Sequence, residues 1–195
     1  GNGASRDPSA DASGELIVFH SEADDLVLGD NNQVSDIFLR DLALGQTTRL
    51  TQAAQASANP ALDAEGETLL YDQDTQAGQR QVLGQMLDGT SATEILSLQT
   101  TDAGLRIDAH HPAISADGRF VVYLEEVMLE ESEESTHCQV HLYDRSSEVY
   151  HRQACPAALA ESSEDGRAVF SSEGNDVLWH LPEQMEPLRL SNPLH

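Results

Sequence analysis

The sequence predicts an all-β fold, a β-propeller of four blades with four antiparallel strands each. Three observations carry this expectation. A twelve-residue motif recurs along the chain, its copies are almost evenly spaced, and each is followed by short apolar segments separated by turn signals. The clearest copy is Pro112-Ala-Ile-Ser-Ala-Asp-Gly-Arg-Phe-Val-Val-Tyr123. Earlier copies run Pro8-Ser-Ala-Asp-Ala-Ser-Gly-Glu-Leu-Ile-Val-Phe19 and Pro60-Ala-Leu-Asp-Ala-Glu-Gly-Glu-Thr-Leu-Leu-Tyr71. A worn fourth copy, Glu161-Ser-Ser-Glu-Asp-Gly-Arg-Ala-Val-Phe170, has Ala160 in place of proline and its aromatic one residue early. The glycines Gly14, Gly66, Gly118 and Gly166 lie 52, 52 and 48 residues apart.

Each element follows from residue chemistry. The Asp-Gly or Ser-Gly pair marks a tight turn, because glycine accepts the positive φ such turns need. The residues after it (Leu16-Ile-Val-Phe19, Leu69-Leu-Tyr71, Phe120-Val-Val-Tyr-Leu124) are apolar without alternation, which implies a strand covered on both faces. The proline before the turn belongs at a strand start or turn. A second hairpin follows in each unit. It is Asp36–Asp41 with Thr47–Thr51 in the first and Gln81–Leu83 with Glu94–Ser97 in the second. The third has Gln139–Tyr143 with Val149–Arg152, and the fourth Asp176–Leu181 with Leu188–Ser191. Blades are expected over 1–51, 52–99, 100–155 and 156–195 of one domain.

The motif, followed by Asp36-Ile-Phe-Leu-Arg-Asp-Leu42 and Thr48-Arg-Leu-Thr51, resembles the TolB-like (WD40-like, PD40) propeller repeat. The third copy carries the first part best and the first copy the rest. The resemblance implies a fold rather than a reaction, since one fold hosts many functions. It also implies that the residues before each proline start the innermost strand near the channel mouth. Arg6, Asp7, Asn59, His110 and His111 are therefore the candidate binding cluster.

Composition bounds the partners. There are 34 acidic against 10 basic residues, net −24, and every base is arginine. Such a surface repels phosphates, which argues against nucleic acid and anionic membranes and leaves cations or a basic protein surface. No segment is long and apolar enough to span a bilayer. The chain carries no signal peptide and does not begin with Met, as expected of a mature or trimmed form.

The two cysteines are placed by strand arithmetic. If the third hairpin turns at Ser146-Ser147, Cys138 and Cys155 face each other across neighbouring strands, within disulfide reach. A disulfide there points to the periplasm or the extracellular space.

Weaker signals remain. Asp30-x-Asn32-x-x-x-Asp36 partly matches a calcium loop but lacks an oxygen ligand at 34 and the loop glycine at 35, so calcium is the one cofactor considered. The second-to-third-strand connections vary most, at 21–35 and 125–136, where specificity usually sits on a fixed scaffold. The run from Glu125 to Glu134 reads as a solvated loop. No nucleophile elbow, zinc-protease helix motif or phosphate loop is present.

The functional expectation is a non-enzymatic module that recognises a protein or a cation at an acidic channel mouth. The alternative is a metal-dependent lyase or hydrolase built on Asp7, His110 and His111. Four repeats also raise a closure question. The ring either has four blades or is half of an eight-bladed ring completed by a homodimer, and the second is preferred.

Overall fold

The computed structural model describes residues 1–89, 91–97, 105–129, 135–156, 167–171, 174–180 and 188–194. They form strands and turns and no helix. The first blade comprises β1 (Ser5–Ala10), β2 (Leu16–Ser21), β3 (Asp36–Asp41) and β4 (Gln46–Arg49). The second comprises β5 (Ser57–Leu62), β6 (Thr68–Asp74), β7 (Arg80–Met86) and β8 (Glu94–Ile95). The third comprises β9 (Leu105–Ile114), β10 (Phe120–Leu129), β11 (Ser135–Asp144) and β12 (Val149–Ala154). The fourth shows β13 (Arg167–Phe170), β14 (Asp176–His180) and β15 (Leu188–Ser191). Each sheet is an antiparallel meander in chain order, and together the four make a four-bladed propeller arrangement. The expected first strand of the fourth blade lies outside the described residues.

The double-sided apolar strands do what the sequence asks of them: they fill the layers between blades. Val18 and Ile37 of the first blade pack with Leu62, Leu69, Tyr71 and Leu83 of the second. Leu70 and Val82 then face Ile114, Val121 and Tyr123 of the third. Val122, Leu124, Val140 and Leu142 face Ala168, Val177 and Trp179 of the fourth. Successive strand residues point to opposite faces, so alternate members of one strand serve two neighbouring layers.

The Gly turns also join blades. Gly14, Gly66 and Gly118 have φ of 71°, 71° and 70°, the region that favours glycine. At these turns Ala12 N–H donates to the Ala64 carbonyl at 2.9 Å, and Ala64 N–H to the Ala116 carbonyl at 3.0 Å. The same peptide thus hands one hydrogen bond to the next blade at each repeat.

Two expectations need correction. The motif proline is not at a strand start: Pro8, Pro60 and Pro112 lie inside β1, β5 and β9. Nor is the acidic stretch after Tyr123 simply a solvated loop. Glu125 and Glu126 continue β10, paired with Gln139 and Cys138 of a longer β11, and Glu125 is buried. Pairing on both sides, with β9 and β11, extends this strand beyond its counterparts in the first two blades. Residues 130–134 lie outside the described residues.

The cysteines pair as the arithmetic requires. β11 and β12 are in register from Asp144↔Val149 to Gln139↔Ala154, and Cys155 N–H donates to the Cys138 carbonyl at 3.0 Å. Cys138 and Cys155 form a disulfide with Cα atoms 5.3 Å apart, packed against the layer between the third and fourth blades.

Candidate functional site at the channel mouth

A proline has no N–H for the ladder, so on an edge strand it either turns its nitrogen away from the sheet or sits at a bulge. All three inner strands bulge, with the same irregularity. The register passes from Arg6↔His20 to Ser9↔Val18 in β1, and from Ala58↔Asp72 to Ala61↔Leu70 in β5. In β9 it passes from His110↔Leu124 to Ala113↔Val122. Each is a one-residue bulge formed by Asp7-Pro8, Asn59-Pro60 or His111-Pro112. The residue before the proline absorbs the extra length by turning left-handed: φ is 53° at Asp7, 49° at Asn59 and 54° at His111. Asp, Asn and His are among the few non-glycine residues that tolerate this region.

The bulge turns each strained residue towards one place. Asp7, Asn59 and His111, with Pro8, Pro60 and Pro112, line a cleft of about 140 Å³, completed on the fourth blade by Ala168 and Val169. Three of the five sequence-selected residues therefore meet. Arg6 is exposed and does not line the cleft, but it pairs across the ladder with His20. His110 is the ladder neighbour of Leu124, and its Nδ1 lies 2.5 Å from His111 Nδ1, so one of the two rings supplies the proton.

Two residues that sequence reasoning missed hold this ring of bulges. His20 and Asp72 occupy the same repeat position, directly after the motif aromatic. Asn59 N–H donates to His20 Nδ1 at 3.3 Å, and His111 N–H donates to Asp72 Oδ2 at 3.0 Å. The left-handed backbone of one blade is thus tied to a side chain of the blade before. The signal was available, since both are polar where the third copy has Leu124, but it was masked by the greasy run preceding it.

The electrostatics follow from burial. Asp72 is fully buried, and its Oδ2 also accepts from Asn59 Nδ2 at 2.7 Å. Among the described residues its Oδ1 has no hydrogen-bond partner, the Arg80 guanidinium standing 3.7 Å away. Loss of solvent pushes the Asp72 carboxyl above the usual carboxylate range, against the opposing pull of Arg80. Burial likewise lowers His20. His110 is pushed down to about 3 by burial first, then by His111 and Arg80, so it is neutral at physiological pH. Arg80 is shared among acids: its Nε donates to Asp74 at 3.0 Å and its backbone N–H to Asp108 at 2.8 Å. Arg106 Nη2 lies 2.7 Å from Asp108. The arrangement offers hydrogen-bond donors and acceptors around an apolar floor of prolines.

The candidate calcium loop has a different centre. Arg49 Nη1 lies 2.5 Å from Asp30 and 3.5 Å from Asp36, so a guanidinium sits between the two carboxylates. Asp36 further accepts from Thr51 Oγ1 at 2.7 Å and Asn32 Nδ2 at 2.8 Å. Among the described residues no group of three or more His, Cys, Asp or Glu is placed to hold a metal ion.

The fold is that of a TolB-like propeller. The chain superposes on TolB from Acinetobacter baumannii with a TM-score of 0.61 at 16% identity, over 96% of this chain and 40% of that one. For a putative TolB from Agrobacterium tumefaciens the TM-score is 0.56 at 20% identity, over 76% of this chain and 48% of that one. The tricorn protease matches with a TM-score of 0.53 at 13% identity, over 90% of this chain and 18% of that one. The chain therefore spans less than half the length of the TolB structures it is similar to. No protein-family model matches it, and no curated protein matches its sequence.

Proposed function

We propose that the chain is a non-enzymatic binding module that recognises a basic protein segment or a cation at the acidic mouth of its channel. The supporting observation is the convergence of Asp7, Asn59 and His111, each in a left-handed conformation, on one cleft. Strained residues persist only where the surroundings over-determine them, and they cluster at ligand sites. The net charge of −24 selects a cationic partner and repels phosphates. The Cys138–Cys155 bond fits work in the periplasm or outside the cell. No helix among the described residues is long and apolar enough to cross a membrane.

Calorimetry with an arginine-rich hexapeptide and, separately, with calcium chloride tests this reading. Salt-sensitive heat that disappears in an Asp7→Ala/Asn59→Ala double variant supports it. Absence of heat from both probes at millimolar concentration counts against it. The metal-dependent lyase or hydrolase reading draws on neutral His110 beside His111. Stoichiometric transition metal on protein purified in metal-free buffer would favour it instead.

A further inference from the structure

We propose that a groove between the first and second blades binds an uncharged, extended peptide segment. The groove shares no lining residue with the channel-mouth cleft. Its volume is about 370 Å³, and residues 50–53 bound it on the first blade. Successive strand residues point to opposite faces, so Gln81, Leu83 and Gln85 of β7 share one face. Tyr71 and Gln73 of β6 and Ile95 of β8 complete that face by cross-strand pairing. None of the lining residues is charged, although 23% of the chain is Asp, Glu or Arg.

The third blade carries different chemistry on the same face. Tyr71↔Leu83 and Tyr123↔His141 are equivalent ladder pairs, so Gln85 corresponds to Tyr143 and Gln73 to Glu125. Tyr143 stacks on its cross-strand partner Tyr150 with ring centroids 4.2 Å apart, and Tyr123, Glu125 and His141 are buried. In the second blade the pair in the place of the two tyrosines is Gln85 with Thr93, whose Oγ1 donates to Gln85 Oε1 at 3.3 Å. Gln73, Gln81 and Gln85 are all half-buried and reach the groove. Short neutral amides thus stand where the next blade has rings and a carboxylate.

The hydrogen-bonding capacity of the groove matches a peptide. Gln73 Nε2 donates to Ser57 Oγ at 2.9 Å, which leaves its carbonyl oxygen as an acceptor. Gln85 spends its oxygen on Thr93, which leaves its N–H groups as donors. The two amides lie four ladder positions apart, about 14 Å, the length of about four extended residues. Leu83 and Ile95 lie between them with Leu50 beside them, an apolar strip for a side chain of such a segment. An ion would give up water here to a wall with no counter-charge. A sugar ring packs on an exposed aromatic face, and Tyr71 is only 4% exposed.

Amide chemical-shift mapping with a pool of acetylated, amidated hexapeptides of serine, threonine, asparagine, valine and leucine is the test. Saturable shifts at Gln73, Gln81, Leu83, Gln85 and Ile95, alike at low and high sodium chloride, are expected. Gln85→Tyr/Thr93→Tyr plants the third blade's stacked pair in the groove and should abolish them. Gln85→Leu keeps the side-chain bulk and removes the amide, so it should weaken binding about fivefold, the worth of about one hydrogen bond. Circular dichroism checks both variants for an unchanged β spectrum. The arginine-rich hexapeptide should leave these signals unmoved, whatever it does at the channel mouth, so the two readings fail separately. No shift from the pool at millimolar concentration overturns the proposal. So do shifts that survive both substitutions, and shifts at these residues from the arginine-rich peptide, or from maltohexaose in place of the pool.

Discussion

The backbone N–H of His111 donates to Oδ2 of Asp72 across the boundary between the second and third blades, at 3.0 Å. The same oxygen holds the Asn59 side chain at 2.7 Å. One buried carboxylate therefore fixes two of the three left-handed residues that line the cleft. Asp72→Ala would leave both half-buried donors without this acceptor and should cost about 1–3 kcal/mol. Asp72→Asn keeps an acceptor oxygen and removes a buried charge, so it should cost less than about 1 kcal/mol. Urea unfolding of the two variants side by side checks the contrast.

The left-handed conformation has its own signature. An alanine there bears the steric penalty of positive φ, about 1–2 kcal/mol, which glycine escapes. At position 59, with φ of 49°, the Gly variant should be more stable than the Ala variant by about 1 kcal/mol. At Ala58, an ordinary ladder position, glycine should instead destabilise. Thermal unfolding of Asn59→Gly, Asn59→Ala and Ala58→Gly measures both comparisons. Equal stability of the two position-59 variants would contradict the assigned backbone.

The lowered histidines set a pH dependence. His110 sits near 3 when folded and near 6.5 when unfolded, so between those values the unfolded chain binds the extra proton. Stability from this group is therefore complete above about pH 6.5 and is lost as pH falls, at about 1 kcal/mol per unit. Lowered His20 adds in the same direction, while the Asp72, Asp36 and Glu126 carboxyls, raised by burial, oppose it because they bind protons more readily in the folded chain. Urea midpoints at pH 7 and pH 5 should show the loss, and His110→Gln should reduce it.

The disulfide closes a loop of sequence separation 17 between strands already in register. In the chain-entropy account, the Cys138→Ser/Cys155→Ser variant should lose about 3 kcal/mol. Thiol titration of the denatured, unreduced protein should find no free thiol.

The repeat made most of the fold legible. A fixed interval between Gly14, Gly66 and Gly118 located each turn, and apolar runs after them located the inner layers. The disulfide followed because hairpin register is simple addition. What the sequence hid was the bulge. Proline inside a strand reads as a boundary, and only three-dimensional pairing shows that Asp7, Asn59 and His111 absorb the slip and turn into the cleft. Arg49 was hidden for another reason: its place between Asp30 and Asp36 depends on β4 lying beside β3, thirteen or more residues from either acid. Glu125 was misread because an acid run looks solvated until its strand is flanked on both sides.

Three repeat-related residues, Asp7, Asn59 and His111, meet at one cleft. Amide chemical-shift mapping of isotope-labelled protein during titration with the arginine-rich hexapeptide tests this convergence most directly. Joint, saturable shifts at Asp7, Asn59 and His111, with His20 and Asp72 following, are expected. Shifts confined to the Gly-turn face, or reaching only one of the three, would contradict it.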